Sequence, residues 1–573
     1  MRGPSAFVTR RGPGGGSAGT DGRATMKLMR QVILIIALSA TLDSSSTASA
    51  QVAADRGTLV IAVPREAQVP VPTLWRGDQA TREVSDLLFL HLADLGPALS
   101  TTNERSFIPR LAKSWSRRDP TTLVFDLDPR ARWQDGTPVT SADVLFAFAR
   151  ARDPKLSPSI ALLLRRLQSV SAEGDHRVVL KFSEPYAEQL YDAVYHAPPL
   201  PAHLLAGIPP ESLAASPFAA QPVGNGPYRF VRRVPAQLIE LAADDGFFLG
   251  TPTIRRVVFL SAGDAETRAN LLLSGAADAI ENIYSVPNPA RLERLPQFQY
   301  YPVPGLSVFY AIINPHDPAD STRPHPLFSD PELRRALIQA LDLNALATVN
   351  YGAHSRAASA PVSAIVGRNV DAPPPLPYDT AAARRLLARR GWLDHDGDGV
   401  LDKDGKALAF TVMVPSTSSA RIAVATQMQE AWHRLGISVQ LDVLDPGVFS
   451  ERRGKGQFDL ETDGVTQDPT PSGLTQSWSC AGIGGSNYAR YCNRRVDSLL
   501  ALAPTARGGP ARAWRDAVRL IAADLPAIFF AAPVAFPAVH RRFTNVTLRP
   551  ESTWSTVWQW TLRPGQQIDR DRQ

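Results

Sequence analysis

Apolar residues fall into two alternating kinds of run along the chain. Residues 58–63 (TLVIAV) are apolar throughout over the length of a buried strand, and residues 121–127 (TTLVFDL) alternate at period two until Asp128 and Pro129 stop them. The period then changes to that of a helix. Thr140 and Asp143 form a capping pair ahead of ADVLFAFARAR, Pro331 opens ELRRALIQALD at a first helical position, and Asp379 caps TAAARRLLARR. Residues 419–435 read as a further amphipathic helix, followed at once by the strand GISVQLDVL. The arginines on these helices read as solvated faces. Strands alternating with helices predict a mixed α/β fold rather than a bundle or a sandwich. Pro-rich loops at 198–201, 287–304 and 373–377 separate the blocks, and no internal repeat is found.

Length adds scale to this pattern: 573 residues, 44% hydrophobic and 20% charged, suggest about two to four globular units, each large enough for a core. The formal charge of +6 is concentrated at the start. Residues 1–50 hold six cations against two anions, which leaves 55 cations and 53 anions over residues 51–573, a net of +2. A nucleic-acid binder needs its positive charge in the folded part, so that class is excluded. Within the leader, Met26 opens the basic stretch MKLMR, an apolar run follows at 32–42, and Ala48-Ser49-Ala50 has the small-x-small pattern of a signal-peptidase site. The run is shorter than the ~20 residues that span a bilayer. Residues 26–50 are therefore expected to be a signal peptide cleaved after Ala50, with residues 1–25 an over-extended start and the mature chain periplasmic. In that oxidising compartment Cys480 and Cys492, the only two cysteines, have the spacing to close a small loop worth about 2 to 3 kcal/mol; two free buried thiols are the alternative.

Catalytic signatures are missing from the mature chain: there is no G-x-S-x-G, H-E-x-x-H, P-loop, C-x-x-C or G-x-G-x-x-G, and no histidine pair at i and i+4. No enzyme and no cofactor is expected. The most chemical-looking stretch is Asp394, Asp396 and Asp398 before Gly399, the opening of a calcium loop. Its twelfth position is Gly405 instead of a bidentate Glu, so a solvated turn is the first reading, and a weak calcium site to which Asp402 and Asp404 lend oxygens is the alternative.

The order of motifs resembles the family 5 extracellular solute-binding proteins, the peptide- and nickel-type receptors of ATP-driven importers. The segments carrying the resemblance run in order from LAKSWSRRDPTTLVFDLDPRARWQDGTPVTSADVLFAFAR (111–150) through VGNGPYRF (223–230), LLLSGAADA (271–279), DPELRRALIQALD (330–342) and YDTAAARRLLARRGWLDHDGDGVLDKDGK (378–406). They resume in LGISVQLDVLD (435–445), FDL (458–460), DP (468–469) and NYARYCNRRVDSLL (487–500). The first segment and the GNG element also read locally as turn and capping chemistry.

The resemblance implies a two-lobed α/β receptor of the large peptide-receptor type. Lobe one would comprise 51–305, with an extra subdomain at about 85–220, and the C-terminal return 533–573; lobe two would comprise 306–532, with crossovers near 306–313 and 528–534. It would be a monomer that closes on a peptide or other small solute and delivers it to a permease and ATPase in the inner membrane. A receptor for a non-peptide solute, or a ligand sensor or adaptor on the same scaffold, is the alternative. The family's peptide receptors hold the ligand's amino group with an aspartate four residues before a proline; in TDGVTQDP that position is Val465, leaving Asp463 or Asp468 to substitute. Trp478, Asn487, Tyr488 and Trp75 are further cleft candidates, as aromatic walls and an amide suit a roomy pocket.

Overall fold

The computed structural model describes residues 57–572 apart from 69, 73–78, 287 and 506–510. The leader and Trp75 lie outside the described residues. The strand Gly57–Val63 is buried along its whole length because it has partners on both edges, running parallel to Ile254–Ser261 on one side and to Ala279–Ile280 on the other. It sits near the middle of a seven-stranded sheet of order Phe298–Tyr300, Ala538–His540, Ala279–Ile280, Gly57–Val63, Ile254–Ser261, Leu238–Ala243, Tyr228–Val234. Ala538–His540 comes from near the C-terminus and inserts antiparallel between two strands from the middle of the chain.

Buried ions fasten that returning segment. Arg542, 2% exposed, donates through Nε to Asp278 Oδ1 (3.0 Å), through Nη1 to Asp571 Oδ2 (2.5 Å) and through Nη2 to the Thr58 carbonyl (2.6 Å). The same carboxylates accept the amides of Val60 and Thr58, so the first strand and the tail are held by one set of charges. Glu83 makes a second fastening by accepting the amides of Thr553 and Trp554.

A four-stranded antiparallel sheet of order Ala112–Asp119, Thr122–Leu127, Arg177–Phe182, Leu167–Ala172 shares its core with the large sheet: Leu123, Phe125, Val178 and Leu180 pack in the cluster that contains Leu59 and Ile61. The long first motif turns out to be folding chemistry. Asp143 accepts from Thr140 N, Trp133 Nε1 and Ala202 N at 2.8, 3.1 and 2.9 Å, so one carboxylate starts the helix Ser141–Ala151 and pins both flanking loops. VGNG packs against the end of helix Gln79–Leu88, where the Leu88 carbonyl accepts from Asn225 N and Gly226 N. A Cβ on Gly224 would lie 2.0 Å from that carbonyl oxygen, so the approach requires glycine.

The remaining sheet has five strands, ordered Ser438–Leu444, Ala409–Pro415, Leu460–Thr466, Ser307–Ile313, Ala527–Ala531. The first three are parallel and the last two run antiparallel to their neighbours. Period-two alternation divides its side chains between two cores. Ala311, Ile313, Val412 and Leu460 pack with helices Pro331–Gln339 and Ser419–His433, while Val308, Tyr310, Ile312 and Met413 pack with Pro446–Lys455, Arg494–Leu502 and Ala511–Asp524. Two chain segments cross between the sheets, and they pair with each other: Val303 opposite Ala535 and Pro304 opposite Val534.

Candidate ligand cleft

Strand direction places the cleft. The parallel strands of the five-stranded sheet end at Pro415, Leu444 and Thr466, and Thr466 pairs with Ser307, where the crossing segment enters. In the seven-stranded sheet Val63, Ser261 and Ile280 end on the edge where Ala538, arriving from the other crossing, pairs with Ile280. The carboxyl ends of both sets of strands therefore turn toward the crossings, and ligands of open α/β sheets bind outside such ends.

The loop that leaves Thr466 reaches the first lobe. Thr470 Oγ1 donates to Glu188 Oε1 at 2.5 Å, and nearby Ala187 N donates to the Pro504 carbonyl (3.0 Å) and Arg166 Nη2 to the Ala501 carbonyl (3.1 Å). Asp468, on this loop, is close enough for its charge to act on Arg82, Tyr191, Tyr195 and His196. Tyr191 and Tyr195 stack at 4.7 Å, and the Arg82 guanidinium lies 5.0 Å from the Tyr195 ring. Burial, with Asp468 adding, holds the Tyr191 phenol well above its ordinary range, and its buried hydroxyl has no hydrogen-bond partner among the described residues. Burial lowers the His196 ring, but Asp192 at 3.2 Å and the nearby Asp468 and Glu188 outweigh it and hold the ring above its ordinary value.

The residues singled out from sequence separate into two groups. Asp463 points from its strand into a buried ion cluster, paired with Arg453 and, at 3.6 Å, with Arg421. Arg453 also pairs with Glu461 (2.9 Å) and lies 3.8 Å from the ring of Tyr488, so Tyr488 carries that guanidinium. Burial pushes Glu461, beside Asp463 and against the pull of Arg453, up to about 8. Trp478, expected as a cleft wall, is 2% exposed and packs edge-on against Tyr310 and Phe529 in the core. Asn487, expected as a cleft amide, spends its Nδ2 on the Ser479 and Tyr491 carbonyls. Val465 is half-buried opposite Val308. Among the described residues Asp468 is the one acid of this set without an ion pair, Asp463 being held by Arg453 and Arg421.

Cys480 and Cys492 are joined by a disulfide, S–S 2.01 Å, with Cα atoms 4.5 Å apart. Asp394, Asp396 and Asp398 lie exposed with carboxylate oxygens within 4.8 Å of one another. Their oxygens accept the loop's own amides, from Gly397, Gly399, Asp398 and Val400. Asp402, the expected fourth donor, is turned away onto the amide and ring of His395. The arrangement is that of a turn stapled by its own backbone. Arg82, Tyr191, Tyr195 and Glu188 belong to no motif and are not among the residues expected from sequence. The i, i+4 series Glu188, Asp192, His196 and Tyr191, Tyr195 was the available signal, since it sets acids and rings along one helix flank.

Two α/β sheets joined by paired crossing strands, with polar loops facing each other at their carboxyl ends, make up a two-lobed solute receptor. Residues 106–485 match the family model described as bacterial extracellular solute-binding proteins, family 5 middle, and the chain belongs to this family. It is 25% identical over 563 residues to the oligopeptide-binding protein AppA of Bacillus subtilis, covering 94% of this chain and 99% of that one. It is 26% identical over 531 residues to the glutathione-binding protein GsiB of Pectobacterium atrosepticum, covering 87% and 96%. The fold matches the solved structure of B. subtilis AppA in complex with a nonapeptide (TM-score 0.76, 23% identity, 89% and 99% covered). It also matches that of NikZ from Campylobacter jejuni in complex with Ni(L-His) (TM-score 0.74, 23% identity, 88% and 99% covered). Among the described residues no helix is long and apolar enough to cross a membrane.

Proposed function

We propose that this chain is the receptor of an ABC importer that captures a short peptide between its lobes and delivers it to a permease and ATPase without chemically altering it. The observation that carries this reading is the cleft: two polar loop systems from different sheets meet at the strand ends, with relatives over nearly the whole chain named for peptides. The proposed lobes are 51–305 with 533–573, and 306–532, moving about the paired segments Val303–Pro304 and Val534–Ala535. With Asp463 committed to Arg453 and Arg421, Asp468 is the carboxylate left to hold a ligand ammonium, against the rings of Tyr191 and Tyr195. The working form is a periplasmic monomer beginning at Gln51, which N-terminal sequencing of the exported protein checks.

The test is a thermal-shift screen with a casein digest, followed by mass spectrometry of what the exported protein retains. A set of short peptides is the expected result, with Asp468→Asn losing at least about tenfold in affinity while its circular dichroism is unchanged. Retention of a non-peptide solute, with no shift from the digest, overturns the peptide reading in favour of the second one that Val465 favours: a receptor retuned to a ligand without a free amine.

A further inference from the structure

We propose that Glu188 is a proton-operated latch across the cleft: closing the lobes buries it under Thr470 and takes up a proton, so ligand is held more tightly as the pH falls. This rests on the receptor reading and concerns the regulation of the same cleft.

Glu188 lies just before helix Gln189–Tyr195 of the first lobe and is 2% exposed. Its Oε1 accepts from Thr101 Oγ1 of the same lobe and from Thr470 Oγ1 of the other, both at 2.5 Å. Hydroxyls, not cations, receive it. The titratable groups around it are Asp192, His196 and Tyr186 on its own segment, Arg165 and Arg166 with Glu184 beside Asp192 and Tyr186, and Asp468 on the facing loop, whose influence reaches His196 and Tyr191. His196 and the Tyr186 hydroxyl are both taken by Asp192. The guanidinium of Arg117 goes to Gln189, the next residue, and to Glu104. A carboxylate closed into this place meets burial and a neighbouring acid, offset only in part by the hydroxyls of Thr101 and Thr470 and by His196, whose own hydrogen bond goes to Asp192.

Burial, and then Asp192, push Glu188 up to about 7 from its ordinary 4.5. Lifting the Thr470 loop would let water reach it and return it toward the ordinary value. The latch is therefore fully favourable below about pH 4.5, weakens as the pH rises, and is lost above about pH 7, one proton being bound on closing in between.

The exported chain is titrated with trialanine in a calorimeter at about pH 6 in two buffers of different ionisation enthalpy. Uptake of up to one proton per ligand is expected, with Kd rising by up to about tenfold per pH unit between about pH 5 and 7. Glu188→Gln keeps the accepting oxygen and is expected to flatten that slope at the tight, low-pH Kd. Binding without proton exchange, or an unchanged slope in Glu188→Gln, overturns the latch and leaves the receptor reading standing. If Glu188→Gln does not fold, the two-buffer comparison on the natural chain decides. Small-angle scattering of the ligand-free chain supplies an arm that needs no peptide: the radius of gyration is expected to fall from about pH 8 to 5, and to stop doing so in Thr470→Val. Failure of trialanine to bind counts against the peptide reading alone, and a flat radius of gyration then overturns the latch.

Discussion

Replacing Arg542 with Met removes the cation that ties the tail to the first strand while keeping most of its bulk. Asp278 and Asp571 are 2% and 0% exposed in their side chains, and the guanidinium is 2% exposed, so none can turn to water without opening the fold. Three bonds disappear, to two carboxylates and the Thr58 carbonyl. Taking one partner from a buried ion pair costs about 3 to 5 kcal/mol, because the remaining charge stays buried. The expected loss is at the lower end, about 3 kcal/mol, since Arg570 still reaches Asp278 at 2.5 Å and backbone amides still reach both acids. The assay is native-state hydrogen exchange read segment by segment, because a two-lobed chain need not unfold in one step. Amides of Gly57–Val63 are expected to lose protection worth about 3 kcal/mol, while those of Ser307–Ile313, in the other sheet, change little. Adding Asp571→Asn should recover part of the loss by removing the stranded charge. A loss under about 1 kcal/mol, or an equal loss in both sheets, would refute the claim that these ions fasten the tail to the first strand.

Three further outcomes follow from individual side chains. Gly224→Ala places a methyl 2.0 Å from the Leu88 carbonyl oxygen and is expected to cost more than about 2 kcal/mol in urea unfolding, whereas Gly207→Ala, with open space around it, is expected to be near neutral. Reducing Cys480–Cys492, or making Cys480→Ala with Cys492→Ala, is expected to lower stability by about 2 to 3 kcal/mol, read as the shift in urea midpoint between oxidised and reduced protein. Glu461, raised to about 8 by burial against the pull of Arg453, binds its proton more tightly folded than unfolded; its contribution is full below about 4.5 and is lost as the pH rises through about 8. Stability of the five-stranded lobe is therefore expected to decline between about pH 5 and 8 by up to about 1.4 kcal/mol per unit, and Glu461→Gln to remove that slope in urea midpoints taken across the range.

Elements whose periodicity is local were legible in the sequence. The strands at Gly57–Val63 and Thr122–Leu127, the capped helices Ser141–Ala151 and Thr380–Arg389, and the pair Ser419–His433 with Ser438–Leu444 lie where apolar spacing and capping residues put them. Of the four-stranded sheet only Thr122–Leu127 was legible as a strand, and of the five-stranded sheet only Ser438–Leu444 and the crossing strands, because the other strands show their alternation only against neighbours remote in sequence. The cleft residues were much less legible, because their roles depend on partners remote in sequence. Trp478 looks like a cleft aromatic beside a loop, yet Tyr310 and Phe529 from two separate strands enclose it. Asp463 looks like a free acid next to Val465, and only the fold brings Arg453 and Arg421 onto it.

The same dependence explains why a missing aspartate at 465 need not leave the cleft without a carboxylate. Along Leu460–Thr466 the odd-numbered positions share one face, and Glu461 and Asp463 on it are taken up by Arg453. An aspartate at 465 would extend that row of acids toward the strand end, where Val465 now lies opposite Val308. Once the strand ends, alternation no longer dictates direction, and Asp468, the carboxylate proposed above to hold the ligand, lies within electrostatic reach of Tyr191 and Tyr195. Moving the acid from the strand to the loop also moves it onto the segment whose Thr470 contacts Glu188. Ligand charge and closure would then act on one short loop, 466–472. This makes a specific demand: Asp468→Asn should weaken binding by a similar factor at about pH 5 and pH 8, because it removes the ligand's partner, whereas Thr470→Val should weaken it mainly at low pH, because it removes the latch. Paired titrations at the two pH values read both variants directly, and matching pH profiles for the two would show that anchor and latch are not separable functions of this loop.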